Sequence, residues 1–233
     1  MNAIAAVCIL LGAMPALAAT VEKSGIFGGE EVHYKVVLPD HYDPAREYPA
    51  ILAFGGGHQN MATVDGVLDR FLRAEAERRG FIVIAPAAPH NQIFFEGGSV
   101  VFPEFLDMIR HDYKIQGGRM HAAGGSNGGT SAFFVAAMYP GYFWSVTGFP
   151  GLLQRPALTK IQNLRGMCIQ MIVGGDDTWW LENGKRQSES FRTLGIDTQF
   201  RVIPNQPHQI DLDVAGIRQL FDRIEASEHG CGK

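Results

Sequence analysis

The chain has 233 residues, 46% hydrophobic, 10% aromatic and 19% charged, an ordinary globular composition with length enough for one large core. Its net charge of −4, with no run of Lys or Arg, gives no basis for a nucleic-acid partner or for binding an anionic membrane surface. No H-E-x-x-H string and no clustered His/Cys ligands are present, so no catalytic metal is implied.

Residues 1–19 stand apart from this composition. Met1 to Ala19 carries no charged side chain, has an apolar stretch from Ile4 to Leu11, and ends Ala16-Leu-Ala-Ala19, an A-x-A cleavage pattern. The Lys or Arg that usually follows Met1 is missing. A membrane anchor is the rival reading, but Gly12 and Pro15 interrupt a run already short for spanning. Residues 1–19 are therefore expected to be a cleaved export signal, and 20–233 one secreted or periplasmic domain without stable membrane association. Cys8, preceded by Val7, sits outside any lipidation context. Cleavage leaves Cys168 and Cys231. An exported protein could join them, but nothing in the sequence asks for the bond.

Along the mature chain, Glu31 to Leu38 alternates as an antiparallel strand near an edge would, and the proline-bearing stretch to Tyr48 reads as loop. Pro49 to Phe54 is apolar throughout, as a strand buried on both faces must be. Val64, Val67, Leu68, Phe71, Leu72 and Ala74 then fall at helical spacing, with Asp69, Arg70, Arg73 and Glu77 opposite. Glu75 lands on the apolar side by period, which suggests that the stripe is leaving the core there. Gly80 ends the helix. Phe81 to Pro86 is the next strand; a loop to Gly98 carries Phe94 and Phe95; Phe102 to Tyr113 is amphipathic helix.

Arg119 to Ala123 predicts a strand and Ala132 to Tyr139 a helix stopped by Pro140 and Gly141. Trp144 to Phe149, Met167 to Val173 and Thr198 to Ile203 predict strands, Arg186 to Leu194 and Val214 to Ile224 helices. Strands alternating with helices, several of them wholly apolar, predict an α/β fold of three layers: a mainly parallel sheet with helices on both faces. Ligands in such sheets bind past the carboxyl ends of the strands.

Four constellations occupy those ends. Gly124-x-Ser126-x-Gly128 lies between a strand and a helix, the setting of a nucleophile elbow, where the helix N-terminus also favours a developing oxyanion. The plainer alternative is a glycine-rich turn whose serine caps the helix. Gly174-Gly-Asp-Asp177 and Pro204-Asn-Gln-Pro-His208 follow two later strands. The order Ser126, Asp177, His208 supplies a nucleophile, a carboxylate and a general base, with His208 taking the serine proton and Asp177 orienting the imidazole. Asp176 competes as a turn residue, and His229 lies in a polar tail that reads as surface. Finally, Phe54-Gly-Gly-Gly-His58 lets backbone N–H groups approach a ligand, and the N–H of Gly57 is paired with that of Asn127 as an oxyanion hole. His58 could supply that donor instead, and close packing alone would also explain the glycines. The same turn falls short of a dinucleotide fingerprint, because Asn60 replaces the third glycine and no acidic residue ends the next strand. No nicotinamide cofactor is expected.

With these motifs the chain resembles the α/β-hydrolases, and among them the lid-less secreted esterases related to polyhydroxybutyrate depolymerases and to feruloyl or acetyl-xylan esterases. Phe54-Gly-Gly-Gly-His-Gln-Asn60, Gly124-Gly-Ser-Asn-Gly-Gly129, Gly174-Gly-Asp-Asp177 and His208 carry the resemblance, which spans roughly residues 30–226. It implies a triad of Ser126, Asp177 and His208 and an acyl-enzyme mechanism without cofactor. Gly55 stands where the family's oxyanion loop usually has a histidine. The Gly-Gly-Ser-Asn-Gly-Gly string also resembles the catalytic domain of prolyl oligopeptidases, which keeps a peptidase reading open, and a catalytically silent binding module on this fold is the third alternative. The expected substrate is a small-molecule or polymeric carboxylic ester, with Trp179, Trp180 and His58 as substrate-binding candidates and Trp179, Trp180, Phe94 and Phe95 able to supply an apolar or sugar-stacking rim. Core packing is the competing role for those aromatics.

Overall fold

A computed structural model describes residues 19–231, so the expected export signal lies outside the described residues apart from Ala19. Eight strands form one sheet in the order β1-β2-β4-β3-β5-β6-β7-β8. They are β1 (Ala19–Phe27), β2 (Glu30–Leu38), β3 (Ala50–Phe54), β4 (Ile82–Pro86), β5 (Met120–Gly124), β6 (Phe143–Gly148), β7 (Cys168–Gly174) and β8 (Thr198–Ile203). Strands β3 to β8 run parallel, and β1 and β2 are antiparallel at one edge. Strands β3, β4, β5 and β7 are buried at every position, which is why their sequences are apolar without alternation apart from the hydrogen-bonded His121 in β5 and Gln170 in β7. Seven of the eight strands fall within a residue or two of the expectation from the sequence.

The eighth, β1, has no counterpart in that expectation. Every residue before Phe27 is exposed except the half-buried Gly25, so the strand carries no hydrophobic period to read. What holds it is backbone pairing with β2, in a register running from Ala19 opposite Leu38 to Phe27 opposite Glu30. The hairpin closes through Gly28 and Gly29, both at positive φ, the geometry of a tight two-residue turn. Glu22 and Lys23 place charge on the free edge, which discourages a second chain from adding there.

Two apolar layers flank the sheet. One packs α3 (Phe102–Asp112), α4 (Asn127–Met138) and α5 (Thr178–Thr193) through Phe105, Phe133 and Phe191. The other packs α1 (Met61–Val67), α2 (Arg73–Arg79) and α6 (Val214–Ser227) through Val64, Leu68 and Phe221. Helix α5 begins eight residues before the expected Arg186, so Trp179 and Trp180 sit on its first turn and not in a loop.

Helices α1 and α2 are joined by a π-helical turn, Leu68–Leu72, in which the Arg73 N–H bonds the Leu68 carbonyl. The extra residue rotates everything after it. A continuous α-helix would turn Ala74 and Arg78 inward beside Glu75; instead Ala74 and Arg78 are exposed, Ala76 and Arg79 face in, and Glu75 stays buried. This corrects the expectation that the stripe leaves the core at Glu75. The carboxylate is buried and ion-paired, accepting from Arg78 at 2.6 Å and from Arg79 at 2.8 Å. The Arg78 hydrogen bond, reinforced by Arg79, holds its pKa down at about 2 although burial opposes it.

Cys168, the first residue of β7, and Cys231, just past α6, form a disulfide with Cα atoms 5.4 Å apart. The sequence left that pairing unasked for because only the packing of α6 against the sheet returns residue 231 to the start of β7. A bridge closing a separation of 63 residues is expected to contribute about 4 kcal/mol. Reduction, or the double change Cys168→Ser and Cys231→Ser, should lower Tm by roughly 8–16 °C in a thermal melt. An unchanged Tm would show the bridge to be energetically idle.

Candidate active site

Ser126 lies between β5 and α4 at φ 58° and ψ −123°, a conformation that a residue with a side chain adopts only under constraint. The constraints are visible. Its N–H donates to the Pro150 carbonyl at 2.7 Å, its carbonyl accepts from Thr130 N–H at 3.0 Å, and the Gly128 N–H reaches the Gly125 carbonyl at 2.9 Å. The flanking glycines are required by contact. A Cβ on Gly128 would lie 2.2 Å from the Phe54 carbonyl oxygen, and one on Gly124 would lie 2.5 Å from the Gly128 backbone. The strand-to-helix turn is therefore as sharp as the G-x-S-x-G spacing predicts, and α4 starts immediately after the serine, five residues before the expected Ala132.

The loops after β7 and β8 are laced together. Gly175 N–H donates to the Ile203 carbonyl at 2.8 Å, and Asp176 N–H to the Gln206 carbonyl at 3.0 Å. At Gly174, a Cβ would lie 2.2 Å from the Pro207 carbonyl oxygen. This contact brings Asp177 against His208, with Oδ2 and Nδ1 2.6 Å apart. On the other side of the ring, His208 Nε2 is 2.9 Å from Ser126 Oγ. Asp177 also occupies the N-cap of α5, yet its side chain makes no cap bond and is left to the imidazole. Asp176 points to solvent and His229 is exposed, so neither joins the cluster.

The chain holds a second serine–histidine–carboxylate alignment. His121 Nδ1 is 2.9 Å from Ser145 Oγ, and its Nε2 is 3.1 Å from Glu228 Oε1. His121 is fully buried near the start of β5, and burial lowers its pKa against the opposing pull of Glu228. No substrate reaches it, so its role is to tie α6 to the sheet. What distinguishes His208 is exposure: its side chain is 39% accessible, beside a cavity.

That cavity, about 470 Å³, is lined by Ser126, His208, Gly56 and Gly57 and walled by Val67, Phe71, Phe149 and Ile210. Phe71 and Phe149 pack with ring centroids 4.6 Å apart. Asn127 is the first residue of α4, so its N–H has no acceptor within the helix. Its side-chain Nδ2 donates to the Gly57 carbonyl at 2.8 Å, linking the elbow to the glycine turn after β3. His58 is exposed and does not line the cavity. Trp180 packs against the His208 ring at 5.5 Å, whereas Trp179, 56% exposed, lines a separate groove with Leu152 and Leu158. Neither tryptophan lines the cavity at Ser126, and Phe94 belongs to the core with Phe54 and Phe102.

Two contributors escaped the sequence. Gln59 is wholly buried at φ 55°; its Nε2 donates to Ser131 Oγ at 2.9 Å, its Oε1 accepts from Phe94 N–H at 2.9 Å, and its carbonyl accepts from Ala88 N–H at 2.7 Å. It clamps the glycine turn onto α4, and no local pattern announces a buried glutamine. Arg70 also borders the cavity, although helical period places it on the outer face.

Sheet order, elbow and helix placement define an α/β-hydrolase. A family model described as Esterase matches residues 24–194, and the chain belongs to that family. A ferulic acid esterase superposes with a TM-score of 0.68 at 20% identity, covering 93% of this chain and 99% of the other. The ferulic acid esterase of Anaeromyces mucronatus, in complex with ferulic acid, gives 0.70 at 15% identity and 95% coverage of both chains. Dipeptidyl-peptidase 5 of Porphyromonas gingivalis is 32% identical over 129 residues, which is 50% of this chain but only 19% of that one. The chain thus spans about a fifth of that relative's length.

Proposed function

We propose that this esterase is an exported serine hydrolase that cleaves carboxylic esters through an acyl-enzyme, with Ser126 as nucleophile, His208 as general base and Asp177 as the carboxylate that orients it. The observation that carries the proposal is the unbroken line of short contacts, 2.9 Å from Ser126 Oγ to His208 and 2.6 Å from His208 to Asp177, opening onto a cavity. His208 Nε2 takes the serine proton as Oγ bonds the ester carbon; the tetrahedral oxyanion is held by the N–H groups of Asn127 and Gly57. Collapse breaks the carbon–oxygen bond of the alcohol, which leaves with the proton from His208. Water then enters by the same route in reverse, releasing the acid and restoring the serine.

The apolar walls of the cavity suit an acyl group, and Trp180, packed on the His208 ring outside that cavity, supports a reading in which the substrates are aromatic, plant-wall or polyester esters. Similarity to a dipeptidyl-peptidase supports peptide cleavage as the second reading. A fluorophosphonate probe is expected to label the folded protein with a single adduct on the tryptic peptide containing Ser126. Absence of labelling on native protein would leave a binding module as the better description. Ester turnover without cleavage of a proline-containing dipeptide amide separates the two hydrolase readings.

A further inference from the structure

We infer that Arg70 selects esters whose acyl chain ends in a carboxylate, such as half-esters of dicarboxylic acids; the inference rests on the esterase reading of Ser126. Among the described residues, Arg70 is the sole ionisable side chain besides His208 that lines the cavity, and no carboxylate lines it. The guanidinium is held in place from two sides. Its Nη2 donates to the Ile210 carbonyl at 2.9 Å, and its carbon lies 5.1 Å from the centroid of the Phe71 ring. The neighbouring Asp69 is already taken by Arg73 at 2.7 Å and does not neutralise it.

Helical spacing explains why this cation sits here: Thr63, Gly66, Val67 and Arg70 recur about one turn apart from α1 into the π turn Leu68–Leu72, and all four line the cavity with Phe71 beside them. Such insertions carry an energetic cost and recur beside functional sites. Val67, Phe71, Phe149 and Ile210 provide an apolar channel for methylenes, and Arg70 offers a fixed, planar donor array matched to a carboxylate. A neutral acyl chain would gain nothing from it.

The test compares 4-nitrophenyl hydrogen adipate with 4-nitrophenyl hexanoate, acyl groups of equal length ending in carboxylate and methyl, with spontaneous hydrolysis subtracted. Arg70→Gln is expected to lower the adipate-to-hexanoate ratio of kcat/KM roughly tenfold, and Arg70→Lys to retain most of it. In the wild type the ratio should fall as NaCl is raised, because screening weakens only the charged contact. If Arg70 merely braced the loop after His208 through Ile210, both esters would slow together, and the ratio would not move. A ratio unchanged in Arg70→Gln overturns the assignment. Should that variant fail to fold, a wild-type ratio insensitive to salt overturns it instead. Wild-type protein that turns over neither ester brings down the esterase mechanism itself, an outcome distinct from failure at Arg70 alone.

Discussion

Ser126→Ala is expected to lower kcat/KM for 4-nitrophenyl acetate by roughly 10⁴- to 10⁶-fold, with the thermal melt essentially unmoved. The size follows from what the hydroxyl supplies. Without Oγ there is no covalent intermediate, and only the oxyanion donors and substrate binding remain to assist direct attack by water. The fold should tolerate the change, because the turn is held by main-chain bonds to Pro150 and Thr130 and by glycine contacts, none of which uses the serine side chain. Turnover within tenfold of wild type would remove Ser126 from the chemistry. Loss of activity accompanied by loss of the melt would show a structural role instead.

Asp177→Asn should cost roughly 10⁴-fold in kcat. The carboxylate lies 2.6 Å from Nδ1 of His208, where it keeps the proton on that nitrogen and stabilises the imidazolium formed as Ser126 attacks. An amide of the same shape can donate to Nδ1, which would leave Nε2 protonated and unable to accept from the serine. Asp177 makes no cap bond to α5, so the helix should not loosen. Asp176→Asn is the matched control, since its exposed side chain lies outside the cluster; it should stay within a factor of two or so of wild type. Equal losses in both variants would indicate disruption of the shared loop and would refute the specific role given to Asp177. The two variants together decide between neighbouring carboxylates that the chain order alone could not separate.

The buried strands were readable because their environment leaves one option. A strand covered on both faces favours apolar residues throughout, as in Ala50–Phe54 and Ile82–Pro86, and Cys168–Gly174 departs from this only at Gln170, whose amide donates to the Leu220 carbonyl. Strand β1 was unreadable for the converse reason: its stability comes from backbone pairing, to which side-chain pattern is silent. Helical period failed at Ala74 because a π turn inserted one residue of rotation; it placed Glu75 on the buried side, where the carboxylate is paired with Arg78 and Arg79, which no period announces.

The candidate site divides in the same manner. The turn around Ser126 is local: a strand, two glycines that cannot bear a Cβ and a following helix are encoded within about a dozen residues, so their sequence alone determined the elbow. It also determined the residue types at the later strand ends, hence the candidates Asp177 and His208. Only the tertiary structure decided that the β7 and β8 loops interlock to set that pair against Ser126, that Gln59 clamps the glycine turn, that Cys168 meets Cys231, and that Arg70 borders the cavity. Each of these depends on groups distant in sequence whose meeting is set by strand order and by the packing of helices on the sheet, and no period or spacing within one segment carries that information.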